Sequence, residues 1–524
     1  MCDNCDVRLR LTKTLCIPYK TLANLFIPLY NNLRKQIIRG RRVCDKAKRG
    51  FNNFREEKKM RATKIICTIG PAVSSRGKIK ELIKAGMNVA RLNFSHVNYR
   101  EFRKIISYIK GARQSLKTPV AIMADLQGPK IRMGNIKEPV TVKRGEMIAI
   151  GNCRLPIAGY KTIPINIKNL HNFIKRNQRV LINDGMVSLK VTGIDKKKKC
   201  VICRVISGGV IEKRKGVNLP GASLPLSAVT KKDKRDLKFA LKNGADIISL
   251  SFVRLPQDIK QLKTLIKKYF PAKKPLVIAK IEKPSAVKNI AAILKEADGI
   301  MIARGDLAVE IGYGKIPQVQ KSFIKKANRG GKIAIVATQM LESMINSPYP
   351  HRAEITDIYN AVSDGADTLM LSGETSVGKY PLKVMKVMKN IIIKAEKQGR
   401  KNKILPEFIK TGHVYENVIS YAAAITPQFL DNTEIAVCTH DINDVSYISD
   451  YRTKKPVISF TSDESLYYRL AVYSGINPVF TREKDEKKRV KMISQNLKKP
   501  GNIVYVDFHG HGSEKGKLIV YKVR

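Results

Sequence analysis

Lys280 and Glu282 stand two apart in the segment AKIEKP. On an extended strand that spacing projects both side chains to one face. Asp306 follows in ARGDLAVEIG, just beyond the next apolar run. Two carboxylates beside a lysine suit a divalent metal shared with a phosphorylated substrate. Mg2+ takes one or two protein carboxylates and completes its octahedron with substrate oxygens and water. A salt-bridge cluster without metal is the competing reading of the same three residues. Gly305 and Asp306 open a helical pattern whose first amides can receive an anion. The phosphate loop GxxxxGK(S/T) is absent, which excludes that class of nucleotide-binding protein.

These residues need elements that converge. Eight short apolar runs occupy the stretch from Lys64 to Glu374: Lys64–Gly70, Asn88–Phe94, Val120–Leu126, Asp246–Phe252, Leu276–Glu282, Gly299–Gly305, Lys332–Gln339 and Thr368–Glu374. Most are followed by a helical pattern, which predicts repeated βα units and a parallel sheet. Eight units fit a (β/α)8 barrel of the α/β class better than an open sheet. Arg91, Asn93, Asp125, Lys280, Glu282, Asp306, Thr338 and Glu374 fall at or just past the C-terminal ends of the runs. Loops on that face of a barrel meet in one cleft, so the pattern reads as an enzyme.

The rest of the chain divides around the barrel. Residues 1–60 read as a basic extension, either disordered or lying ahead of a start at Met60. Barrel sequence fills 61–133 and 227–398. Between them, 134–226 alternates apolar and polar residues with glycine turns and predicts a small all-β domain placed as a lid. From 399 to 524 a new set of strand and helix patterns predicts a C-terminal α/β domain.

Composition limits the alternatives. No apolar stretch is long enough to span a bilayer, and Asp3 and Asp6 argue against a secretory leader. The nine cysteines form no evident disulfide framework, and a reducing cytoplasm is the expected setting. Cys2/Cys5 and Cys200/Cys203 have C-x-x-C spacing, yet CVICRV reads as one strand with its two thiols on opposite faces. Cys67 and Cys438 read as buried thiols. The net charge of +56 could mark a nucleic-acid binder, but the lysines are spread through every segment and no recognition motif accompanies them. Solvated lysine faces, with no specific nucleic-acid partner and no membrane, are the expectation.

Taken together, the motifs TKIICTIGPA, AGMNVARLNFSH, DLQGPKIR, INDGMVSLKV, KGVNLPGA, LSFVR, AKIEKP, GIMIARGDLAVEI, VATQMLESM and MLSGETSVGKYP resemble, in their order, the pyruvate kinase family. The resemblance is dense over residues 61–398 and looser beyond. It implies transfer of the phosphoryl group of phosphoenolpyruvate to ADP, giving pyruvate and ATP in the last step of glycolysis, by a homotetramer. It implies that Lys280 stabilises the transferring phosphoryl group and that Arg91 contacts the substrate phosphate. Glu282 and Asp306 correspond to Mg2+ ligands. Gly305, Asp306 and Thr338 correspond to positions around the substrate carboxylate and reacting carbon, and Asn93, His96, Arg132 and Lys215 to the nucleotide side. Ser372 and Glu374 match a polar segment near the proton-delivery side. The alternatives are a basic polyanion-binding protein on a retired enzyme scaffold, or another barrel enzyme of enolate chemistry. The full set of chemical residues argues against the first, and the β insertion with KGVNLPGA against the second.

Two departures from the family pattern carry expectations of their own. Asn93, Ser95 and Asp125 resemble a potassium site, but Lys130 stands where potassium-dependent members have glutamate, and Leu126 where they have a threonine ligand. A fixed ammonium near Asp125 would supply the charge of K+, so potassium is not expected to be required. In the last domain, the loop HDINDVS offers Asp441 and Asp444 where sugar-phosphate-activated members have hydroxyl donors, which argues against that activation. The histidines of FHGHGSEKG, His509 and His511, read as a turn rather than a metal pair.

Overall fold

The computed structural model describes residues 61–152, 159–222, 226–399, 414–453, 455–495, 497, 500–508 and 517–523. The expected extension 1–60, with Cys2 and Cys5, and the pair His509 and His511 lie outside the described residues. The described residues fall into two compact units, one within Thr63–Ala395 and a second made of the described residues from Glu396 onward with Arg61 and Ala62.

Each apolar run becomes a barrel strand. In order they are Lys64–Thr68, Val89–Asn93, Ala121–Leu126, Ile247–Leu250, Leu276–Ile281, Gly299–Ala303, Ile333–Ala337 and Thr368–Leu371. They pair in parallel with their neighbours, and Lys64 opposite Thr368 closes the ring. Nearly every strand residue is buried, because side chains fill the barrel inside and helices cover it outside. Packing is tight enough to require glycine at 299, where a Cβ would lie 2.6 Å from the Ile333 Cβ.

The helices start and stop on local signals. The helix Arg76–Ala85 begins at Ser75, whose side chain accepts the Lys78 amide, and ends at Gly86 with φ of 114°. The helix Lys231–Lys242 begins with a reciprocal box between Thr230 and Asp233.

The insertion is all β, in line with its alternating pattern. Its six-stranded sheet runs in the order Val217–Asn218, Arg179–Ile182, Val187–Asp195, Cys200–Ser207, Met147–Gly151 and Lys161–Ile163. A separate two-stranded ribbon pairs Gly209–Ile211 with Val140–Val142. Ile148, Val180, Leu189, Val201 and Val205 belong to a core of its own. Entry and exit run side by side: the Val217 amide bonds the Ile131 carbonyl at 3.0 Å and the Met133 amide bonds Lys215 at 2.8 Å. Cys203 is a free buried thiol in that core, while Cys200 packs in another cluster with Ala149. Cys200 is disulfide-bonded, although the cysteine spacings show no evident disulfide framework.

The second unit carries a five-stranded sheet in the order Ile476–Phe480, Val457–Thr461, Thr433–Cys438, Gly501–Asp507 and Lys517–Val523. Only the last, edge strand is antiparallel. No helix among the described residues is long and apolar enough to cross a membrane.

Candidate active site

At the C-terminal rim of the barrel, Asp125 stands next to last in the third strand and pairs in register with Asn93 on one side and Ser249 on the other. It is almost wholly buried, and four nitrogen or hydroxyl groups face its oxygens. Arg91 reaches Oδ2 through Nε at 2.8 Å and Nη2 at 2.7 Å. Oδ1 receives the Ser249 hydroxyl at 2.9 Å and faces the Lys280 ammonium at 3.4 Å. Burial alone would raise this carboxyl, but Lys280 and Arg91 outweigh it and hold Asp125 below the usual carboxylate range. Arg91 is further fixed by donating to the Thr68 hydroxyl at 2.8 Å.

Lys280 sits between carboxylates. Its Nζ lies 3.0 Å from Glu282 Oε1 and donates to Ser251 Oγ at 2.8 Å, while Ser251 donates to the Leu126 carbonyl at 2.7 Å. Burial works to strip the proton from Lys280, yet Asp125 and Glu282 keep its pKa above the ordinary lysine value. The ammonium therefore stays charged. Glu282 takes the Phe252 amide on Oε2 at 2.7 Å, an amide aimed by a left-handed φ of 57° at Phe252. Burial pushes Glu282 above its usual range against the pull of Lys280, and the neighbouring Asp306 pushes the same way.

Asp306 lies in the first turn of the helix Arg304–Ile311, half-buried, and makes no hydrogen bond or ion pair among the described residues. Together Arg91 and Lys280 oppose Asp125, Glu282 and Asp306, two cations against three carboxylates. That imbalance, with Asp306 uncommitted and Glu282 destabilised as an anion, fits a divalent cation at Glu282 and Asp306.

The sixth and seventh strand ends meet at Thr338. Its hydroxyl accepts the Gly305 amide at 2.9 Å and donates to the Ala337 carbonyl at 2.6 Å. Thr338 and Gln339 both have left-handed φ, 71° and 54°. For a β-branched residue that is a strained conformation. Arg304 holds the turn in place. Its Nη2 donates to the Thr338 carbonyl at 2.6 Å, its Nε to Ala337 at 3.3 Å, and its Nη1 pairs with Asp357 at 2.6 and 2.5 Å. No local pattern marks Arg304 for this role. Ser249 and Ser251 were also missed, although serines two apart in the apolar run DIISLSF carry a usable signal, since both must face the same side.

The remaining candidates fall into smaller groups. Asn93 accepts the Ser95 amide at 3.2 Å, and His96 is exposed beside them. Arg132 and Lys215 come together at the neck of the insertion, where Arg132 bridges to Gly216 and bonds the Arg214 carbonyl at 3.0 Å. Lys215 pairs with Glu212 at 3.0 Å. Glu374 is a staple between loops: its two oxygens accept the amides of Leu341 at 3.1 Å and Ser372 at 2.6 Å. Lys130 departs from expectation. Its side chain lies against Gly216, with Cε 3.3 Å from where a Cβ would start, and it forms no ion pair with Asp125. Lys280 and Arg91 neutralise that carboxylate instead, because strand register brings them to it and the glycine–proline turn carries Lys130 to the neck.

The family described as "Pyruvate kinase, barrel domain" matches residues 60–385. The pyruvate kinase of Geobacillus stearothermophilus is 39% identical over 425 residues, 81% of this chain and 72% of that protein. The enzyme of Staphylococcus aureus (strain USA300) is 38% identical over 424 residues, 80% and 72% of the two chains. A crystal structure of a pyruvate kinase from Cryptosporidium parvum superposes with a TM-score of 0.81 at 31% identity, covering 88% of this chain and 96% of its own. With a family match over residues 60–385 and relatives this similar over four-fifths of its length, the chain belongs to the pyruvate kinase family.

Proposed function

We propose that the chain moves the phosphoryl group of phosphoenolpyruvate to ADP with Lys280 as the central cation. The observation that carries this reading is the Lys280 ammonium held between Asp125 and Glu282, 3.4 and 3.0 Å from their oxygens. An ammonium already fixed by its neighbours needs little reorganisation when charge develops on the transferring group. Arg91 has donors left beyond its bonds to Asp125 and Thr68, and these face the substrate phosphate. Glu282 and Asp306 would hold Mg2+, which supplies neutralising charge for the phosphoryl oxygens. The Gly305 amide and Thr338 hydroxyl orient the substrate carboxylate and reacting carbon, and Thr338 lies on the route by which the enolate carbon gains its proton. Asn93, His96, Arg132 and Lys215 form the nucleotide side, with the last two carried by the neck of the insertion.

Potassium is not required in this reading. The lone pairs of Asp125 are taken by Arg91, Ser249 and Lys280, so a monovalent cation at Asn93, Ser95 and Asp125 would have to displace a donor. In the second unit, Asp444 Oδ2 already takes the amides of His440 and Asp441 at 2.7 and 3.0 Å, which speaks against a sugar phosphate binding there in the familiar way. A cytoplasmic homotetramer is proposed from family likeness alone.

The test is Lys280→Met in a lactate dehydrogenase-coupled assay with phosphoenolpyruvate, ADP and Mg2+. Loss of one transition-state charge contact is worth about 3–4 kcal/mol, so turnover should drop by on the order of a hundredfold or more. Near-normal turnover in a folded variant would refute the assignment.

A further inference from the structure

The second unit holds a group of side chains that phosphoryl transfer does not use. Cys438 ends the strand Thr433–Cys438 and pairs in register with Asp507 on the neighbouring strand. In parallel strands, residues in register point to the same face. The Thr439 amide bonds the Phe460 carbonyl at 2.8 Å, which extends the strand and returns His440 to the side of Cys438. Cys438 Sγ and His440 Nε2 are 3.3 Å apart. The sulfur, an imidazole nitrogen and a carboxylate oxygen of Asp507 all lie within 4.8 Å of one another. Cys438 is buried and His440 exposed, so the group opens to solvent on one side. It also stands at the carboxyl ends of parallel strands, where open α/β sheets bind ligands.

We propose that Cys438, His440 and Asp507 form a binding site for a thiophilic divalent cation, Zn2+. Thiolate, imidazole and carboxylate are the ligand types zinc accepts, and three protein ligands leave a fourth position for water or an outside ligand. Mg2+ is disfavoured because it demands oxygen donors. Arg489 completes the arrangement from behind: its Nη1 donates to Cys438 Sγ at 2.7 Å and to the Tyr505 hydroxyl at 3.2 Å. The Arg489 N–H on the sulfur fixes its direction, as donors around metal ligands do in metal centres. The backbone around His440 is fixed as well, because the His440 amide is held by Asp444. The competing account is a cysteine–histidine hydrogen bond with no metal.

Co2+ titration of the chelator-stripped full-length protein separates the two. Binding at this site produces the near-ultraviolet absorption of a thiolate–cobalt bond, saturating at one equivalent and bleached by Zn2+. The carboxylates Glu282 and Asp306 cannot produce that absorption. Cys438→Ser should abolish it, and His440→Ala, a change at an exposed side chain, should weaken binding by on the order of tenfold or more. Absence of the absorption in the unaltered protein, its persistence in Cys438→Ser, or unchanged affinity in His440→Ala would each overturn the proposal.

Discussion

Arg304→Lys keeps the positive charge but removes the planar fork that grips the Thr338 turn. Two of its bonds to backbone carbonyls are long, 3.3 Å to Ala337 and 3.4 Å to Gln339, and are discounted. The bond to Thr338 is short, 2.6 Å, and Arg304 is buried. A hydrogen bond from a charged group is worth about 1.5–3 kcal/mol. The pair with Asp357 adds little, because Asp357 is one-third exposed. Against this stands the cost of left-handed φ at Thr338 and Gln339, about 1–3 kcal/mol each. The bond lost is comparable to the strain it opposes, so the turn relaxes and Thr338 shifts. A displacement of about 1 Å near the reacting atoms costs on the order of a hundredfold in rate. We therefore expect kcat in the coupled assay to fall by that order, while the KM for ADP, bound by other residues, stays near normal. Asp357→Asn, which leaves the fork intact, should change kcat little. An Arg304→Lys enzyme with the kcat of the unaltered protein would refute the claim that Arg304 holds the turn.

Two further outcomes follow from the rim. Glu282→Gln or Asp306→Asn should steeply raise the Mg2+ concentration needed for half-maximal rate, since each removes an anionic ligand from a site with few; an unchanged Mg2+ titration in either variant would move the ligands elsewhere. Activity should be the same in sodium, potassium and tetramethylammonium salts at matched ionic strength, because Asp125 is already neutralised by Arg91 and Lys280; strong activation by potassium over sodium would show that a donor is displaced.

The barrel was legible because each strand is a short apolar run with a polar end. The run Asp246–Phe252 became the strand Ile247–Leu250, with its serines at the rim. Motif residues such as Lys280, Glu282 and Thr338 could be placed on the same rim for that reason. What local pattern could not supply was pairing across strands. Arg304 meets Asp357, Ser249 meets Asp125, and Ser251 meets Lys280 only once the ring is closed. The left-handed turn at Thr338 was equally hidden, since a β-branched residue normally argues against such a conformation. Lys130 was misplaced because distance along the chain from Asp125 says nothing about the direction taken after a glycine–proline turn.

The neck of the insertion also bears on how the chain reaches this structure. Asp125 and Ser249 are bonded neighbours although 124 residues separate them. Loop-closure entropy grows as about (3/2)RT ln n, and long-range pairing of this kind slows folding. Yet Ile131 is already joined to Val217, and the residues between them bury a core of their own. Once that core has formed, the third and fourth barrel strands are tethered through two short arms, and the long intervening chain no longer enters the search. An insertion that folds first staples its own ends, and the ring closure that follows spans only the two arms. A chain with a tight turn in place of the segment between Met133 and Lys215 would begin with that shorter closure, so the barrel can lose the insertion and still find its register.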